Sequence, residues 1–111
     1  ASRAPRSAMT QFALARSQLA AGDAKGARQS FLRARDLDTM PWRPVSQTEQ
    51  AIRDAAAAKG AVLCDVAERF RDLSPEGATS WELLDDHVHP SLRGQAEVAR
   101  AIDEMVRGAR R

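Results

Sequence analysis

The segment from Asp86 to Ser91 holds the residues of this chain that are best suited to chemistry. It reads Asp-His-Val-His-Pro-Ser, so that Asp86 lies three residues before His89. In serine-type hydrolysis a His takes the hydroxyl proton, and a carboxylate on its far ring nitrogen fixes the tautomer. Turn-like backbone between the two residues can bring the carboxylate to the Nδ1 edge of the ring. The spacing therefore predicts an orienting acid, Asp86, and a general base, His89.

The residues on either side of this segment are expected to hold it in place. Before it, the run Trp81-Glu82-Leu83-Leu84 predicts a hydrophobic anchor. After it, Pro90 stiffens the exit and Ser91 can cap a helix. That last helix is predicted to begin near Ser91 and to bury Val98, Ala101, Ile102 and Met105.

The N-terminal part of the chain has the pattern of two short helices joined by a tight turn. The first apolar stripe consists of Ala8, Phe12, Ala15 and Leu19. Gly22 then breaks the helix, and Asp23 is the residue type expected at an N-cap. The second stripe consists of Ala27, Phe31 and Ala34, with Leu37 near its end. The pattern predicts an antiparallel helical hairpin over residues 1–40.

Residues 41–45 form a predicted linker, because Pro41 and Pro44 force the backbone away from helical geometry. Ser46 and Glu49 then have capping-box spacing, which predicts a third helix up to about Lys59. Gly60 ends that helix, and the apolar run 61–66 predicts a strand covered on both faces. A short helical piece over 67–73 and a turn over 74–77 follow. A buried strand needs neighbouring strands, and this sequence does not supply them.

Residues 86–102 closely resemble the last sequence block of the SGNH (GDSL-like) hydrolase family, where Asp-x-x-His-Pro precedes a Gly and the C-terminal helix. Residues 52–70 also resemble the final helix-strand unit of that family, and the whole resemblance covers about residues 46–106. It implies an α/β fold class, in which 46–111 form a C-terminal fragment of a flavodoxin-like three-layer sandwich. Because the sequence begins with Ala rather than Met, the rest of that domain is expected before residue 1.

The same resemblance implies that His89 is the general base and that Asp86 orients it, whereas His87 occupies a variable position. In this family the nucleophile lies in a Gly-Asp-Ser block, and a Gly and an Asn complete the oxyanion hole. This sequence contains neither a Gly-Asp-Ser nor any Asn, and Ser74, Ser80 and Ser91 lie in the wrong context. The chain alone is therefore expected to be close to inert, because each missing group costs orders of magnitude in rate.

The N-terminal hairpin resembles one tetratricopeptide (TPR) repeat, since Gly22, Ala27, Phe31 and Ala34 keep the relative spacing of that repeat. The Tyr position of the repeat holds Gln18, and its closing Pro position holds Thr39. A TPR-like unit ahead of an SGNH-like block is similar to bacterial hydrolases that carry helical repeats. An alternative function is a noncatalytic interaction module built on this hairpin and a degenerate hydrolase remnant.

Composition limits the partners of this chain of 111 residues and net charge +2. No apolar run approaches the length of a membrane span, and no aromatic residues alternate with the terminal arginines as in nucleic-acid binding. The expected partners are an acyl ester, with acetylated carbohydrate as one candidate, and the missing N-terminal part of the hydrolase domain. We expect no cofactor and no metal. A minority interpretation takes Asp85, Asp86, His87 and His89 as a metal site.

Overall fold

A computed structural model describes residues 7–74 and 78–109 of the chain. Five helices succeed one another in the described residues. They are α1 (Ala8–Ala20), α2 (Ala24–Asp36), α3 (Ser46–Lys59), α4 (Val66–Leu73) and α5 (Leu92–Ala109). In these ranges no helix combines the length and the apolar character needed to cross a membrane.

Helices α1 and α2 form the predicted hairpin. Gly22 turns the chain at φ +83°, a conformation that suits glycine, and the Asp23 carboxylate caps α2 by accepting from the Gly26 N–H at 2.8 Å. Between the helices, small side chains are buried: Ala15, Ala27, Ser30 and Ala34. At the edge of this interface the rings of Phe12 and Phe31 meet edge to face, 5.5 Å apart. The hairpin and its cap are therefore confirmed.

The junction of α2, α3 and α4 is built from ion pairs rather than from apolar side chains. Glu49 on α3 accepts from Arg35 on α2 at 2.8 Å and from Arg71 on α4 at 3.1 Å. Arg28 on α2 reaches Glu68 on α4 at 2.7 Å. The side chains of Arg71 and Glu49 are only 9% and 13% exposed, so this pair lies largely out of water.

The α/β fold class predicted from the sequence is wrong, because the described residues form five helices and contain no strand or sheet. Residues 61–65 lie between α3 and α4 without regular secondary structure, and they form no strand pairing with any segment that the structure describes. Val62 is 65% exposed, so this run is not the buried strand that its apolar character suggested. The chain is helical, and the flavodoxin-like sandwich is not its architecture.

The boundaries of the later helices were predicted with mixed success. Gly60 ends α3 in the left-handed conformation, as expected. The capping box is wrong, since Val45 precedes the helix and the Ser46 hydroxyl accepts from Arg35 instead. The predicted turn at 74–77 lies mostly outside the described residues.

A small apolar cluster joins α4, α5 and the segment before the Asp/His residues. Phe70, Leu83 and Leu84 are its buried members, and Val66, Leu73 and Val98 pack against them. The predicted anchor is thus confirmed at Leu83 and Leu84, whereas Trp81 is 76% exposed. The radius of gyration is 15.8 Å, whereas a compact domain of this length typically has roughly 13 Å. The helices are therefore less compactly packed than in a typical domain of this size.

Candidate acid–base site

Asp86 and His89 are in direct contact. The Oδ2 atom of Asp86 lies 2.7 Å from the Nδ1 atom of His89. The Oδ1 atom of the same carboxylate accepts from the backbone N–H groups of Val88 and His89, each at 2.7 Å. One carboxylate therefore folds its own loop and holds the imidazole, as the three-residue spacing predicted.

The loop is closed at its base by backbone pairing. The Asp85 N–H donates to the His89 carbonyl at 2.9 Å, and Leu84 and Pro90 form an isolated antiparallel bridge. The Ser91 N–H donates to the Leu83 carbonyl at 3.0 Å. Leu83 is 1% exposed and belongs to the small apolar cluster, so the base of the loop is anchored in that cluster.

Helix α5 begins directly against this loop. The Ser91 hydroxyl accepts from the Gly94 N–H at 3.1 Å and donates to the Glu82 carbonyl at 3.0 Å, so Ser91 is the expected helix cap. Gly94 is buried against the strand-like base of the loop, where an added Cβ would lie 2.0 Å from the Leu83 carbonyl oxygen. No larger residue fits at position 94 unless α5 moves away from the loop.

Hydrogen bonds to the Asp86 carboxylate determine its protonation. The Val88 N–H, the His89 N–H and the His89 ring hold the pKa of Asp86 far below its usual range. The carboxylate is therefore ionised at neutral pH and can only accept, so the Nδ1 atom of His89 carries the hydrogen. This tautomer leaves the Nε2 lone pair free to take a proton, and the His89 side chain is 75% exposed.

The linker that follows α2 is part of the site, which sequence reasoning missed. The Arg43 Nε–H donates to the carbonyl of His87, and the ring of Trp42 packs against the ring of His87 with centroids 4.6 Å apart. These contacts join the linker to the Asp/His loop at His87. No local sequence pattern signals these contacts, because they join residues 42 and 43 to the distant residue His87.

Two of the three serines nearest to the site in sequence, Ser74 and Ser91, have hydroxyl groups that are already engaged. The buried Ser74 hydroxyl donates to the Phe70 carbonyl at 2.7 Å, and the Ser91 hydroxyl is engaged as the cap of α5. Within residues 7–74 and 78–109, no three His, Cys, Asp or Glu side chains are arranged to share a metal ion. Asp86 and His89 form a hydrogen-bonded pair, and the geometry of the described residues does not favour the metal-site interpretation.

Comparison of the chain with family models, with curated proteins and with solved structures gives no match.

Proposed function

We propose that this chain supplies the general base and its orienting carboxylate to a serine-type ester hydrolase whose nucleophile and oxyanion hole lie outside the chain. The observation that carries the proposal is the 2.7 Å contact between the Asp86 Oδ2 atom and the Nδ1 atom of a largely exposed His89. An exposed imidazole with an anionic partner is available to a second protein surface.

The chemistry asked of the pair is proton transfer in both directions. The Nε2 atom of His89 takes the proton of a serine hydroxyl as the oxygen attacks the ester carbonyl, and then gives it to the departing alkoxide. A water molecule repeats the sequence and releases the acid. Asp86 stabilises the imidazolium that forms in each step without taking up the proton itself.

The Asp-x-x-His-Pro motif is compatible with the same role. Residues 86–102 resemble the last block of the SGNH hydrolases, and there the matching Asp and His complete a catalytic triad. The proposal rests on the loop and not on a sheet, since the helical architecture gives no support to the rest of the resemblance. The substrate class is an acyl ester.

The test is hydrolysis of p-nitrophenyl acetate by the polypeptide or complex in which this chain occurs. We expect His89→Ala and Asp86→Asn each to lower kcat by at least about 10³-fold, the loss typical of triad members. Asp85→Asn is the matched control, because it makes the same substitution next to the dyad. Its kcat is expected to stay within about twofold of the unsubstituted protein.

A fluorophosphonate, which reacts covalently with an activated serine, identifies the nucleophile. We expect the label on a serine outside this chain, and less of it after His89→Ala. Unchanged hydrolysis in His89→Ala, or a label on Ser80 of this chain, would contradict the proposal.

A further inference from the structure

The Asp/His loop, residues 85–89, is closed by hydrogen bonds among its own residues. The Asp86 carboxylate accepts from the Val88 and His89 N–H groups. The Asp85 N–H donates to the His89 carbonyl. Four of these five residues are exposed, and Asp86 is half-buried. Hydrogen bonds that are open to water stabilise a loop only weakly, because water competes for the same groups. A contact from outside the loop can therefore decide how fully it is closed.

The outside contacts of the loop come from the linker between α2 and α3. In the described part of the chain, one hydrogen bond and one ring contact reach residues 85–89 from elsewhere, and both end at His87. The Arg43 Nε–H donates to the His87 carbonyl, and the Trp42 ring packs against the His87 ring. Two adjacent linker residues thus contact both the backbone and the side chain at the middle of the loop.

The backbone that carries Arg43 is itself restrained. Arg43 precedes Pro44, and a residue before proline is largely confined to extended conformations. The Asp36 carboxylate accepts from the Ser46 N–H at 2.9 Å, a bond that spans the linker and joins the end of α2 to the start of α3. Because this backbone is restrained by its own sequence and contacts, the bond to the loop costs less conformational entropy.

Arg43 has two ways of acting on the loop, through its hydrogen bond and through its charge. It is half-buried, and burial lowers its pKa. The positive charge of Arg35 lowers this pKa further, whereas the negative charge of Asp86 acts in the opposite direction. Arg43 is therefore attracted to Asp86, but a charge attracts in many loop conformations. The hydrogen bond is directional and fixes one particular carbonyl.

We propose that Arg43 is a positioning residue of the Asp86–His89 pair. By holding the His87 carbonyl, its Nε–H keeps the loop in the conformation in which the Asp86 carboxylate meets the Nδ1 atom of His89. The linker, and not the loop alone, then determines the tautomer of the imidazole. The catalytic meaning of this role rests on the function proposed above, whereas the positioning itself is measurable without hydrolysis.

Two substitutions of Arg43 separate the hydrogen bond from the charge. Arg43→Gln places an amide N–H at the same distance along the side chain as Nε and carries no charge. Arg43→Met has a similar length but neither a donor nor a charge. Arg93→Met is the control, because Arg93 pairs with the Glu82 side chain near the loop and is 57% exposed.

Hydrogen exchange of the Val88 and His89 amides reports how often the loop opens, because both amides donate to Asp86. We expect Arg43→Met to lower their protection at least about fivefold, the factor that corresponds to one hydrogen bond. Arg43→Gln and Arg93→Met should each leave this protection within about twofold of the unsubstituted chain.

The imidazole of His89 gives a spectroscopic signature that a general loss of stability does not produce. Nitrogen-15 NMR at about pH 8, above the usual titration range of histidine, shows which ring nitrogen carries the hydrogen. The signals that disappear in His89→Gln belong to His89. We expect the Nδ1–H form in the unsubstituted chain and in Arg43→Gln. In Arg43→Met the share of the Nε2–H form should rise, because Nδ1 leaves Asp86 more often.

Three results would overturn the proposal. The first is unchanged protection of the two loop amides in Arg43→Met, and the second is an equal loss in Arg43→Gln, which would assign the effect to the charge. The third is an equal loss at the Gly26 amide, which donates to Asp23 in the hairpin and should not respond. Unchanged hydrolysis in His89→Ala would contradict the proposed function alone and would leave these measurements as they are.

A second variant keeps the test decisive if circular dichroism shows that Arg43→Met does not fold. Trp42→Leu leaves Arg43 in place and removes the ring contact with His87. It should lower the protection of the Val88 and His89 amides at least about twofold, since one ring contact contributes less than the hydrogen bond. Unchanged protection in Trp42→Leu would show that the linker does not position the pair.

Discussion

The α1–α2 hairpin and the junction of α2, α3 and α4 hold helices together in opposite ways. In the hairpin, Ala15 and Ala27 are fully buried and let the helices approach closely. In the junction, the contact between helices runs through Arg35, Glu49 and Arg71. One interface depends on shape and on residues near in sequence, and the other depends on charge.

Because of this difference, the two interfaces should be destabilised by different changes in sequence and solvent. Close packing of small side chains is insensitive to salt and pH but does not tolerate added volume. Ion pairs tolerate changes in volume but fail when one partner is removed, because the other charge is left in a poorly solvated position. The α1–α2 interface should therefore be sensitive to larger side chains, and the junction of α2, α3 and α4 to the loss of a charged side chain.

The largest effect is expected from Arg71→Ala in the junction. It leaves Glu49 and Glu68 short of a partner and should lower the free energy of unfolding by about 3 kcal/mol. Urea titration measures the loss. Arg93→Ala is the control, because Arg93 also pairs with a glutamate, Glu82, but is 57% exposed, and it should cost under about 1 kcal/mol. Equal losses in the two variants would show that the junction is not held by its ion pairs.

A smaller effect is expected from Ala27→Leu in the hairpin. The added atoms have no space between α1 and α2, and overpacking of this kind should cost about 2 kcal/mol. Ala20→Leu makes the same change at an exposed position of α1 and should be close to neutral. The loss in Ala27→Leu should be the same in 1 M NaCl. A loss that disappears in salt would contradict the contrast between the two interfaces.

The smallest effect on stability is expected from mild acid, and it should be confined to helices α3 and α4. Burial tends to raise the pKa of Asp65, but hydrogen bonds from Arg53 and from the Glu68 N–H outweigh it and leave this pKa lowered. A lowered folded-state pKa means that the stabilisation is complete above about pH 4 and is lost as the pH falls further. Hydrogen exchange at pH 3.5 should therefore show amides of α3 and α4 losing protection before those of α1 and α2. The reverse order would contradict this assignment.

How much of the molecule could be predicted depended on how local each signal was. The Asp23 cap, the Gly60 terminus and the contact between Asp86 and His89 each involve residues a few positions apart, and all three are present. The hairpin is local in the same sense. Short-range geometry leaves few alternatives, so the residue types alone were sufficient.

The errors arose where the outcome depended on distant residues. The run 61–66 has the composition of a strand, but a strand also needs a partner, and the described residues offer none. Glu49 has the spacing of a capping box, but its carboxylate forms ion pairs with Arg35 on α2 and Arg71 on α4 instead. The contact of Trp42 with His87 spans the linker and the loop, and no local pattern encodes it.

The close contact at Gly94 has a mechanical consequence for the acid–base loop. Helix α5 rests on the Leu83 carbonyl with no side chain between them, and Ser91 ties the same turn of helix to Glu82. A displacement of this end of α5 would therefore also shift the base of the loop that carries His89. Since α5 is 18 residues long, a partner bound at its far end would act on the position of His89 through these contacts.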